Sequence, residues 1–141
     1  MANTYGTQMT KLVATPPTTP AQGFVHGNVH CFNESITLAA QAAGDTITVA
    51  RMLKGFIPLF GIIYTTVTFG ATATIAIGVS GTAGKYRTAA TFTTADVPTF
   101  FGNTAAMGVA LTADEDVIVT IAAAALPGSG TFRVQFFYAF D

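Results

Sequence analysis

Tryptophan is absent from this chain, cysteine occurs once, and only 9% of the residues are charged. Each scarcity excludes something. A single cysteine, Cys31, cannot close an internal disulfide, so the 141 residues must rely on a packed core and not on staples. Six Lys and Arg against seven Asp and Glu leave a net charge of −1, with no basic stripe and no run of like charge. Nucleic-acid binding therefore has no electrostatic footprint. Soluble domains usually carry about a quarter charged residues. Here the surface must be covered by Thr, Ser, Asn, Gly and small apolar side chains instead. Such a surface resists association poorly, which points to a protein that works inside an assembly. A carbohydrate-binding sandwich is disfavoured too, because no Trp is present and the phenylalanines sit at strand positions.

What is present is half hydrophobic by residue count, and its pattern is that of strands. No charge occurs between Lys54 and Lys85, a span longer than the roughly 20 residues a membrane helix needs. Pro58, Gly61, Gly70, Gly78 and Gly81 interrupt it, however, and threonines at 65, 66, 68, 72 and 74 favour strands over a helix. No membrane association is expected. The first residues, MANTYGTQMTKLVATPP, lack a cationic start followed by an apolar core, so no signal peptide is expected.

Residues 1–22 read as an extended Pro/Thr-rich arm. Thr15-Pro16-Pro17-Thr18-Thr19-Pro20 enters neither a helix nor a central strand. The arm's apolar anchors, Tyr5, Met9, Leu12 and Val13, are its candidate partner-binding residues, able to lie down as an added strand on a neighbour. Residues 23–141 read as one β domain. Val25–Phe32 and Ser35–Ala39 are expected strands, with a kink or bulge at Gly27 or Asn33-Glu34. Thr46 to Arg51 alternates strictly, a second β-rich run extends from Phe60 to Phe69, and residues 72–79 alternate again. Gly81–Gly84 is expected as a loop, Thr88–Thr93 as a short strand, and Thr94–Val97 as a helical turn capped by Thr94 and ended by Pro98. Phe100, Phe101 and Met107 belong to a loop closing one end of the core. Val117–Ala122 and Thr131–Phe140 are the clearest strands. On the last, Phe132, Val134, Phe136 and Tyr138 face one way, and Arg133, Gln135, Phe137 and Ala139 the other. The fold class is all-β, an antiparallel β-sandwich or jelly roll of about seven to eight strands.

Chemistry-bearing constellations are thin. His26 and His30 share a strand face with Cys31 opposite, but two histidines near Glu34 fall short of the three or four converging ligands a metal needs. Adjacent strand residues point apart, so His30 cannot activate Cys31. Asp114-Glu115-Asp116 lacks calcium-loop spacing and reads as a solvated turn. No catalytic, metal or cofactor residue is assigned, and no enzyme activity is expected.

The order of motifs from Asp45 to Asp141 carries a resemblance. Arg51 and Leu53-Lys54-Gly55 precede a hydrophobic strand. Then come Thr-Ala-Thr-Ile-Ala-Ile-Gly at 72–78, Gly-Lys-Tyr at 84–86 and Leu-Thr-Ala-Asp-Glu-Asp-Val at 111–117, with a glycine loop and an aromatic last strand. This resembles the small β-sandwich capsid decoration, or cement, proteins of tailed bacteriophages. The resemblance implies a structural virion protein on the outer surface of the capsid, commonly a homotrimer, clamping neighbouring subunits of the major capsid protein. It implies no active site and no cofactor. Another phage structural module, such as a head-fibre base, tail subunit or host-binding domain, is the alternative.

Overall fold

A computed structural model describes residues 14–17 and 28–140, and these contain eight strands and no helix. In chain order they are β1 (His30–Thr37), β2 (Thr46–Met52), β3 (Phe56–Thr65), β4 (Thr74–Val79), β5 (Thr82–Thr91), β6 (Thr99–Phe101), β7 (Glu115–Ala122) and β8 (Thr131–Phe140). All pair antiparallel, in two four-stranded sheets ordered β1-β8-β3-β6 and β2-β7-β4-β5. The expected all-β sandwich is what forms. Tyr5, Met9, Leu12, Val13 and His26 lie outside the described residues, as does most of the arm.

The core follows from alternation on the two strands best placed to use it. Val117, Val119 and Ile121 of β7 are fully buried, while Asp116, Ile118, Thr120 and Ala122 point away. On β8, Phe132, Val134 and Phe136 are buried in the same manner. Each of these strands lies inside its sheet, so their buried faces meet across the sandwich with Met52, Ile63, Ile75, Ile77, Tyr86 and Phe101 between them. Fully burying side chains of this size stabilises by about 1.5–3 kcal/mol each.

Several boundaries differ from the sequence expectation, each for a tertiary reason. β1 is one strand running through Asn33-Glu34 without a kink, because β8 pairs with all of it from His30↔Tyr138 to Thr37↔Thr131. As an edge strand it can leave Glu34 exposed. β3 starts at Phe56 and not Phe60: Pro58 is accommodated next to a bulge that leaves Leu59 unpaired against β8. It ends at Thr65, and Phe69 reaches the core from a turn. Thr82-Ala83-Gly84, expected in a loop, is the start of β5, since only Ser80-Gly81 separates β4 from β5, with Gly81 at φ 81°. Residues 94–97 form no helical turn. Asp96 takes φ 56° and donates its N–H to Thr65 O at 2.8 Å, which ties that segment to the end of β3.

One close approach depends on a missing side chain. Gly61 pairs with Phe101 across β3 and β6, and the Phe101 ring lies over it so closely that a Cβ at Gly61 would fall inside the ring. Gly61→Ala should therefore displace Phe101 and cost about 1–2 kcal/mol, the lower part of the range for overpacking, because β6 is a short edge strand that can yield. Thermal denaturation measures this. An unchanged midpoint would mean that Phe101 does not cover Gly61.

Candidate partner-binding surface

The charged residues concentrate on one side of the sandwich. Asp114, Glu115 and Asp116 do not form a solvated turn; each has a separate partner. Asp114 Oδ1 accepts from Lys54 N–H at 2.9 Å, and Asp116 makes an exposed ion pair with Arg51 at 3.7 Å. Exposed pairs of this kind contribute little. Glu115 is the one that matters. Its Oε2 accepts from Lys85 Nζ at 2.5 Å, and its Oε1 accepts from the hydroxyl of the fully buried Tyr86. A signal for this was present in the sequence: Glu115 has the same parity as Val117, Val119 and Ile121, so it begins the inward face of β7. Arg87 is half-buried and donates to the Ile75 carbonyl, bridging the irregular pairing of β4 and β5. Loss of hydration lowers its pKa.

Desolvation, with the Glu115 carboxylate beside it, raises the Tyr86 pKa far above the ordinary value near 10. Folding thus favours the neutral phenol. Its contribution is fully present below pH ~10 and is lost as pH rises beyond that. The parent protein should lose stability above pH ~10, and Tyr86→Phe should lose less over the same window, as read from urea midpoints against pH. Parallel curves would remove Tyr86 as the cause.

The opposite sheet presents a different exterior. By register, Phe60, Ile62 and Tyr64 of β3, Phe100 of β6 and Phe137 of β8 point away from the core. Phe137 stacks on Phe60 at 4.6 Å between centroids, and Phe100 lies 6.0 Å from Phe60. Phe100 is 70% exposed. It forms a ridge between two grooves. One, of about 430 Å³, is bounded by Leu59, Phe60 and Met107; the other, of about 440 Å³, by Tyr86, Arg87 and Thr88. The sequence pattern places Phe100 and Phe101 together in a loop closing the core. The structure separates them, with Phe101 buried in the core and Phe100 outside it.

His30 and Cys31 fall on opposite faces of β1. His30 packs against Tyr138 and Phe140 at 5.5 and 5.0 Å, and Cys31 is exposed on the outer face opposite Phe137. The Cys31 thiol donates to Phe32 O at 3.2 Å, and desolvation raises its pKa, the reverse of what an activated nucleophile needs. Among the described residues no three His, Cys, Asp or Glu side chains gather as a metal site would require.

Neither a family model nor a curated protein sequence matches the chain. Solved structures do. The fold is that of a chain in the capsid asymmetric unit of cyanophage Pam1, with TM-score 0.69 and 23% identity over 88% of this chain and 92% of that one. A chain in the capsid of Ralstonia phage GP4 is similar at TM-score 0.63 and 23% identity, covering 83% and 86%. A chain in the acid-stable capsid of Helicobacter pylori bacteriophage KHP30 is similar at TM-score 0.60 and 10% identity, covering 82% and 90%.

Proposed function

We propose that this protein is a structural component of a bacteriophage virion, a decoration protein that binds the outer surface of the head as a homotrimer and clamps neighbouring major capsid subunits. The observation that carries the reading is the likeness to chains from three phage capsids, which spans most of both partners in each case. Chains of about this length and this fold are therefore built into such particles. A surface poor in charge suits a protein that spends its life in contact with others. Residues 1–22 add a second attachment, with Tyr5, Met9, Leu12 and Val13 docking as an extended segment and Pro16, Pro17 and Pro20 limiting the ordering entropy lost.

The test uses capsids of the encoding phage purified without this protein. The full chain should co-sediment with them in stoichiometric amounts, and light scattering should give three chains per free particle. Deleting residues 2–20 should weaken decoration while circular dichroism retains the sandwich. No co-sedimentation by the full chain would overturn the decoration reading. Full-strength decoration by the truncated chain would overturn only the role of the arm.

A further inference from the structure

β3 is apolar on both of its faces, and the sandwich core uses only one. Ile63 turns inward and is fully buried, whereas Phe60, Ile62 and Tyr64 project from the outside of the sheet. An antiparallel sandwich ordinarily keeps its outer faces polar. The β2-β7-β4-β5 sheet is mixed outside, with Thr46, Thr48, Thr74, Asp116 and Thr120 beside Ile118, Ala76 and Ala122 by register, and it carries no outward aromatic ring. The outside of the β1-β8-β3-β6 sheet breaks the rule. Its β3-β6 half carries the stacked Phe60 and Phe137 with Phe100 beside them. Ile57 and Ala139, outward by the same register, are only 1% exposed and lie outside the core cluster. Along β1 and β8 the same face turns polar, with Asn33, Ser35, Gln135 and Arg133. An apolar centre bordered by a polar rim is the anatomy of a protein–protein interface.

We infer that this face, centred on Phe60, Phe100 and Phe137, docks on a protein of another kind, one offering an apolar side chain to the groove beside Phe100 and a carboxylate to Arg133. On the reading above, from which this follows, that partner is the capsid shell, and the threonine-rich sheet faces water. The groove of about 430 Å³ has room for one leucine or phenylalanine side chain. Charge argues against two copies meeting through this same face about a two-fold axis. Arg133 is the only charged residue turned outward on this sheet among the described residues, so a copy of the same face has no counter-charge to offer it. Both ion pairs of the described residues belong to the other sheet.

The experiment compares full-length Phe100→Glu, Arg133→Glu and, on the opposite sheet, Thr48→Glu. Phe100, Arg133 and Thr48 are exposed, so folding is expected to survive and circular dichroism checks it. Capsids purified without this protein are titrated with each variant and sedimented, and light scattering follows the free proteins. Phe100→Glu should weaken capsid binding by about tenfold or more, as loss of a central aromatic anchor does. Arg133→Glu should weaken it less, and Thr48→Glu should match the parent. Parent-like binding by Phe100→Glu overturns the inference. So does dissociation of a free oligomer by Phe100→Glu with capsid binding intact, which would make a second copy the occupant. If the parent and Thr48→Glu also fail to bind, the decoration reading itself fails and takes this inference with it.

Discussion

Phe136→Ala should destabilise the protein by about 3–5 kcal/mol, whereas Phe137→Ala, one residue along the same strand, should cost about 1 kcal/mol or less. Phe136 is 1% exposed and sits where the two sheets meet. Its ring lies edge-on to Tyr86 at 4.9 Å and 5.9 Å from Phe101, and it opposes Gly61 in the next strand. Removing it opens a cavity that three elements line and none can fill without moving its own strand. Phe137 points outward and stacks only on Phe60. Total stabilities of domains this size are typically about 5–15 kcal/mol, so the first variant loses a large share of the whole. Its melting midpoint should fall by more than about 10 °C, against a few degrees at most for the second. Equal midpoints for the two would show that the inward face of β8 is not the one described.

Glu115→Ala should cost about 2–3 kcal/mol. That exceeds the roughly 1 kcal/mol of an ordinary hydrogen bond, because two groups lose their acceptor together. It stays below the roughly 3–5 kcal/mol for breaking a fully buried ion pair, because Lys85 can turn to water. The side chains of Lys85 and Glu115 are 27% and 15% exposed, whereas Tyr86 is fully buried and its hydroxyl would be orphaned. Glu115→Gln keeps an acceptor for Tyr86 and should recover part of the loss. The double variant Glu115→Ala/Tyr86→Phe, measured by urea denaturation, should lie closer to the parent than the two single costs predict when added. Simple additivity would sink the claim that Tyr86 and Glu115 act as a unit.

Much of the fold was legible because period-two alternation is a local property. The alternation along 117–122 and 131–140 announces strands with two distinct faces without reference to any other part of the chain. Boundaries were less legible. β5 gains its first half only because the Ser80-Gly81 turn folds it onto β4, and β3 takes in Pro58 only because a bulge beside it absorbs the mismatch with β8. Of the candidate surface, the clue was the near-continuous apolar run of β3, which reads equally as a doubly buried strand. The arm residues Tyr5, Met9, Leu12 and Val13 were singled out from composition and remain a proposal for partner binding.

By itself, then, the sequence determined that this chain makes antiparallel strands and that they number about seven to eight. Those are consequences of short-range geometry and of which residue types are present. Only the tertiary structure decided which of two alternating sets is inside, since that depends on which face meets the other sheet. It put Val119 in the core with Ile118 pointing away, and Phe136 in the core with Phe137 outside it. It also joined Glu115 to Tyr86 and Lys85 across about 30 residues of chain. And it left one sheet with an aromatic exterior and the other with a mixed exterior of threonine and small or aliphatic side chains. That sidedness arises because the bulge at Leu59 and the brief pairing of β6 turn Phe60 and Phe100 outward, which no local pattern of residues encodes.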